Sequence, residues 1–549
     1  MAEPKSNQRL SSLDASFLYY ERKEAPLNIG GIHIFESEIP YEEFIEHVSS
    51  KLPLLPRYRQ IVRLSPLNTT QPTWEPDTNF DIHRHIFDVK LEAPGTIDQL
   101  RALAGQVHCG MLDRNKPLWE LYLVQGYEGH RTVMISKIHH AMVDGISGVD
   151  LLNVTLDFSP NPTHKGTKPP EPKEAFSKHP HTMFDSLLDY FEDNVKTWTS
   201  VQTQLLWTAE KWLKQPDRLL SPQNLGALGN IVSPISMLPF NRPLSGKIKL
   251  IWSNYSFAEI KAIRAAIGGT VNDVVLTALA KAFADYLEER DFPTRERVLR
   301  IMVPVSMRPD EQRGALGNQV SLLPVEIPLD MADPMERHTY VIEKTQALKN
   351  TRIADAINLF SNLLGVVPPA LQAAVGSIVD TPVAIFNIVC TNVPGPQVPL
   401  YLMGRKMTES FPYVPIGFAV GISVSIFSYN GMLYMGITAD AESAPDADKL
   451  KGFLDSAFAE IRTAAGLTAK PQKTEAVPVQ QTPAVKAESQ VVEAGAGAEM
   501  PELEDKPAKP KAKAKASKNG AKPGNQAEEV HLVTTVVSAT GEVKKSETN

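Results

Sequence analysis

A chain of 549 residues, 42% hydrophobic and 22% charged, has the composition of an ordinary globular protein and enough apolar material for more than one packed core. A formal net charge of −7 argues against a dedicated nucleic-acid binder. The two cysteines, Cys109 and Cys390, can build no disulfide framework and have no partner at metal-ligand spacing, so a reducing, intracellular compartment is expected.

The N-terminal Met1 to Arg9 is polar and lacks an apolar signal core. Ser12 is placed to cap a short helix through Phe17 and Tyr20, and Asn28 to Phe35 reads as a strand entered through Gly30-Gly31. Tyr41 to Leu52 has an apolar stripe at helical spacing, with Phe44, Ile45, Val48 and Leu52 on one side. A Pro53 to Arg59 stretch follows, then Trp74-Glu75-Pro76. His83 and His85 alternate on what reads as a strand, but two histidines without a third ligand do not define a metal site, and no metal is expected. Ile97 to Met111 is helical in period, and Pro117-Leu118-Trp119-Glu120 opens a strand in which Trp119 reads as core.

The most informative stretch is Lys137 to Gly148, KIHHAMVDGISG. Arg131 to Ile138 before it reads as a strand, and Ile146, Val149, Leu152 and Leu156 after it recur at helical spacing. His139 and His140 thus stand at a strand end, with Asp144 and Gly145 in the turn that opens a helix. A histidine near its ordinary pKa can take a proton from a hydroxyl or thiol at neutral pH, provided its ring is held in one tautomer and direction. A carboxylate four residues on can hold the ring directly, or brace the loop by pairing with an arginine, and a glycine permits close backbone approach. His-His-x-x-x-Asp-Gly arises by chance in a chain this long about once in a thousand.

Ser159 to Thr182 reads as an exposed linker, and Met183 to Leu213 carries a helical stripe of Phe184, Leu187, Leu188, Phe191, Val195 and Trp198, suited to packing on the protein's own body or on a membrane. A second half begins near Gly246. It holds a strand from Lys247 to Tyr255, a capping box at Ser256 to Glu259, and a longer helix whose first turn contains Asn272 and Asp273, where helix caps favour both. Strands follow at Arg297 to Met307, Val320 to Ile327 and Pro382 to Val389, with a helix at Asp333 to Ala347. Asn358 to Val379 is uncharged but interrupted by Pro368-Pro369, so it reads as buried or interfacial and not as a membrane span. Met407 to Thr438 reads as paired strands around Asn430-Gly431, and Asp446 to Ala464 as a closing helix. From about Gly466 the composition turns to Ala, Pro, Lys, Glu and Val without periodicity. This tail is expected to be disordered, with its lysines free to meet an anionic surface.

HHxxxDG is the motif of the coenzyme A-dependent acyltransferases, which include chloramphenicol acetyltransferase and peptide-synthetase condensation domains. The remaining signatures make the chain similar to the bacterial wax ester synthase/diacylglycerol acyltransferase family. They are the opening Leu13-Asp14 pair with Gly30-Gly31, the Pro117-Leu118-Trp119-Glu120 run, Asn272-Asp273, Pro304-Val305-Ser306-Met307-Arg308, Gly317-Asn318 and Thr391 to Pro396. The resemblance implies an α/β fold of two chloramphenicol-acetyltransferase-like domains with the active-site tunnel between them. The boundaries expected are 1–158 and 246–466, joined by a helical linker over 159–245 and followed by the tail over 467–549.

It also implies His140 as general base with His139 supporting, Asp144 as a structural, orienting group beside Gly145, and Asn272, Asp273 and Arg308 as supporting residues, Arg308 being a candidate partner for Asp144. The expected substrates are acyl-CoA with diacylglycerol or a fatty alcohol, with no permanently bound cofactor. The expected location is cytoplasmic, peripherally on the inner membrane or on lipid inclusions. Another hydroxyl acceptor, or a non-catalytic lipid-surface protein, remains open.

Overall fold

The computed structural model describes residues 9–65, 68, 70–142, 150–161, 235–306, 320–350, 370–371, 386–417, 419–467, 534–537 and 543–546. The first half opens with helix α1 (Ser12–Tyr20), strand β1 (Asn28–Phe35) and helix α2 (Tyr41–Lys51). Ser11, not Ser12, caps α1: its hydroxyl accepts the Asp14 amide at 3.1 Å. Short strands β2 (Gln60–Arg63) and β3 (Thr73–Pro76) pair as a ribbon. Then come β4 (Ile86–Leu91), α3 (Ile97–Cys109), β5 (Trp119–Tyr127), β6 (Arg131–His139) and the short α4 (Asp150–Thr155). Thr96 and Gln99 close a reciprocal capping box on α3.

His83 and His85 are not on a strand. Residues Ile82–Arg84 form a single 3-10 turn, after which His85 is buried, stacked on Trp119 at 4.4 Å, with its Nδ1 2.9 Å from the Trp119 carbonyl. Trp119 is the core residue expected of it, fully buried with its indole N–H donating to the Tyr58 carbonyl at 2.8 Å.

The second half contains β7 (Ile248–Ser256), α5 (Phe257–Ile267), α6 (Val271–Glu288), β8 (Val298–Ser306), β9 (Val320–Pro328), α7 (Pro334–Asn350), β10 (Ile388–Pro394), β11 (Tyr401–Leu402), β12 (Arg405–Tyr413), β13 (Ile422–Tyr429), β14 (Met432–Asp440) and α8 (Lys449–Ala464). The β13–β14 hairpin turns on Asn430-Gly431, both at positive φ (46° and 78°), which is the backbone that Asn-Gly favours. Among the described residues no single helix is long and apolar enough to cross a membrane.

Two mixed sheets organise these elements. One runs β7-β14-β13-β10-β8-β9 and belongs wholly to the second half. The other runs β11-β12-β1-β6-β5-β4 and continues into two short C-terminal strands, β15 (Thr534–Val537) and β16 (Val543–Ser546), with β15 parallel to β4. Beyond Leu467, the described part of the expected disordered tail is this strand pair; the rest of it lies outside the described residues. The boundary expected near residue 246 also fails to separate the sheets, because β11 and β12 come from the second half of the chain and pair antiparallel on β1.

The end of β12 is held against the second sheet. Ser425 donates to the Pro412 carbonyl, and Ser423 and Thr438 donate to the Val414 carbonyl, each at 2.9 Å. Phe411 stacks on Trp252 of β7 at 4.9 Å and meets Tyr434 of β14 edge-on. The apolar interior accordingly forms two clusters, and the one around the first sheet takes in Trp252, Phe411, Tyr413 and Tyr434 from the second half. Helix α3 also lies against β7 through Gly105, where an added Cβ would stand 3.4 Å from the Ile248 carbonyl.

Candidate active site

Strand β6 ends at His139, which sits opposite Asn28 in the register with β1, and His140 begins a 3-10 turn through Met142. The neighbouring strand ends grip the two histidines by their backbones. The His139 amide donates to the Leu118 carbonyl and the His140 amide to the Leu27 carbonyl, both at 2.9 Å. Successive residues on an extended chain project to opposite sides, so the two rings enter different surroundings.

The His139 ring is almost fully buried. Its Nδ1 accepts the Ala141 amide at 3.0 Å, so in the neutral ring the proton lies on Nε2. That nitrogen stands 3.4 Å from Oε1 of Glu21, an ion-pair distance without hydrogen-bond alignment. The Glu21 carboxylate, 1% exposed, also receives the Leu27 amide at 3.2 Å and Arg114 at 3.0 Å, and Arg114 donates in addition to the Leu18 carbonyl at 2.8 Å. Burial by itself would raise the Glu21 pKa; His139 and Arg114 outweigh it and hold the carboxyl below its ordinary value.

The His140 ring stacks on Phe17 of α1 with centroids 3.9 Å apart and planes 21° from parallel. Its Nδ1 is buried and meets no partner with hydrogen-bond geometry among the described residues. Burial draws the pKa of His140 down to about 4; its own carbonyl opposes this and His139 adds to it. The ring is therefore neutral, and able to accept a proton, throughout the physiological range.

Behind the histidines lies a buried chain of charges. Lys137 approaches Glu120 at 3.4 Å, Lys116 meets the same carboxylate at 3.0 Å, and the Tyr122 hydroxyl donates to it at 2.8 Å. Burial lowers the Lys137 pKa against the pull of Glu120, while the two lysines hold Glu120 below its ordinary value despite its burial. His108 of α3 is buried against Tyr413 of β12, stacked at 3.7 Å. Gly30 lies beside this contact, and a Cβ there would fall 1.8 Å from the Ser136 carbonyl, so only glycine lets β1 approach β6 at this point.

The supporting residues lie in the second half. Asp273 is buried and closes the capping box on α6: its Oδ2 accepts the Thr270 amide and hydroxyl at 2.7 and 2.8 Å, and its Oδ1 accepts the Thr345 hydroxyl of α7 at 2.8 Å. Asn272 accepts a hydrogen bond from the Asn392 side chain, which joins the Asn-Asp pair to β10, the strand that carries Thr391 to Pro394. Asp144, Gly145 and Arg308 lie outside the described residues, as do the Met183 to Leu213 stripe and the Gly317-Asn318 pair. Glu21 and Arg114 carry no motif spacing; a single acid just past α1 and an arginine in a loop are the only traces they leave in the sequence.

A histidine pair at a strand end, carried by two mixed sheets of which the first takes β11 and β12 from the second half of the chain, belongs to a two-half α/β fold. The match to known proteins names the family. Residues 10–275 match the wax ester synthase/diacylglycerol acyltransferase catalytic domain and residues 316–462 the C-terminal domain of the same family, so the chain belongs to it. The chain is 29% identical over 463 residues to the probable diacylglycerol O-acyltransferase tgs1 of Mycobacterium tuberculosis, covering 82% of this chain and 95% of that protein. It is 28% identical over 464 residues to tgs2 of the same organism, covering 83% and 98%. The wax ester synthase/diacylglycerol acyltransferase of Marinobacter aquaeolei VT8 shares the fold with a TM-score of 0.60 at 21% identity, over 84% of this chain and all of that one.

Proposed function

We propose that this enzyme transfers a long-chain acyl group from acyl-CoA to the hydroxyl of diacylglycerol, of a fatty alcohol, or of both, with His140 as the general base. The feature that supports this most directly is the His140 ring at the end of β6, stacked on Phe17 and kept neutral at working pH by its burial. In this reading Nε2 takes the proton of the acceptor hydroxyl as its oxygen attacks the thioester carbonyl carbon. The tetrahedral intermediate collapses with cleavage of the carbon–sulfur bond, and the protonated ring returns its proton to the departing thiolate. The products are an ester and free coenzyme A, and no covalent enzyme intermediate is needed. His139 supports the base through the backbone turn that its Nδ1 closes. The names of the mycobacterial relatives favour diacylglycerol as acceptor. Apolar substrates also favour a peripheral location at the cytoplasmic membrane or on lipid inclusions, with the lysines of the C-terminal tail as a further attachment.

The test is thiol release from palmitoyl-CoA with hexadecanol or dipalmitoylglycerol. His140→Ala is expected to lower kcat by about two to four orders of magnitude while the protein stays folded, the usual worth of a positioned general base. A folded variant with full activity would remove His140 from this role.

A further inference from the structure

We infer that Glu21 and Arg114 are positioning residues for the histidine pair, an inference that rests on the reading of His140 as base. Neither touches the His140 ring. Glu21 instead joins three connections that end on it. Its backbone amide donates to the Phe17 carbonyl at 3.1 Å, closing the last turn of α1 beneath the ring on which His140 stacks. Its Oε1 receives the Leu27 amide, and the carbonyl of that same residue holds the His140 amide. The same oxygen faces Nε2 of His139, whose other nitrogen closes the turn at Ala141.

Helix α1, the start of β1 and the end of β6 thus meet on one buried carboxylate. Arg114 supplies its counter-charge and, through the Leu18 carbonyl, a second hold on α1. A carboxylate retained at this depth needs such partners, because an unpaired buried charge is strongly unfavourable. Its negative charge 3.4 Å from His139 Nε2 also favours the tautomer, already set by the Ala141 amide at Nδ1, that carries its proton on Nε2.

The role is separable from plain structural support by removing one charge and then both. Glu21→Gln keeps the side-chain volume and loses the charge that orients His139. In palmitoyl-CoA turnover it is expected to lower kcat about ten- to hundredfold with KM within about twofold, the loss typical of a misdirected catalytic group. The double variant Glu21→Gln/Arg114→Gln leaves no uncompensated charge. It is expected to regain the wild-type melting temperature to within a few degrees and still keep the kcat loss. An ion pair that served only the fold would recover activity together with stability, and that result would overturn the inference. Turnover in Glu21→Gln within twofold of wild type would overturn it too, as would a double variant that cannot fold. A wild type that turns over no thioester with either acceptor would fail the acyl-transfer reading itself, and the positioning role would go with it.

Discussion

At the scale of single residues, two adjacent histidines enter different surroundings because the backbone points them apart. The His139 ring is held between Glu21 and the Ala141 amide, while the His140 ring lies on Phe17. The pair was legible in the sequence because its spacing is local, and so was the placement of Asp273 at a helix start, which Thr270 now completes. Glu21 and Arg114 were not legible, since they meet across 93 positions and each looks like an ordinary charge in a polar loop. A consequence of the burial of His140 can be read in the pH profile. A general base must be unprotonated to work, and burial draws the pKa of His140, the proposed base, from 6.5 down to about 4. The acid limb of kcat/KM should therefore fall well below pH 6.5, with activity held as pH drops through 6; a limb at or above 6.5 would show that the ring is solvated in the free enzyme.

At the scale of elements, the decisive piece is β12. It pairs along β1 with one register shift between Ile34 and Phe35, and the sequence placed paired strands across Met407 to Thr438. Strand character, however, does not say which sheet a strand joins. Here β12 leaves the second half, pairs along β1, and returns its Pro412 and Val414 carbonyls to hydroxyls of β13 and β14. Gly436 permits that return, because a Cβ at this position would lie 2.0 Å from the Pro412 carbonyl. Gly436→Ala is thus an overpacking change against backbone, not against a flexible side chain. It should destabilise the protein by about 1–3 kcal/mol or more in denaturant unfolding, whereas a midpoint unchanged from wild type would mean that β12 is not held there. The Asn430-Gly431 turn, by contrast, was readable in advance, because only its own two residues decide it.

At the scale of the whole molecule, several histidines are buried neutral, and this sets the response to acid. Burial lowers the pKa of His33 and of His85 to about 4, against 6.5 when the chain is unfolded. Between those values the unfolded chain binds the extra proton and the native chain does not. The stability these groups permit is whole above pH 6.5 and is lost as pH falls toward 4, up to about 3 kcal/mol for each. The melting temperature should drop through that window, and His33→Asn should flatten the slope. An equally steep slope in the variant would assign the acid sensitivity elsewhere.

The sequence by itself determined the α/β class, most element positions, the histidine motif and the family, because each depends on residues near one another along the chain. Only the tertiary structure decided that a second-half strand completes the first-half sheet, and that Glu21 and Arg114 stand behind His139. Both are pairings between distant segments, selected by burial, charge compensation and close backbone packing, none of which leaves a local periodic trace.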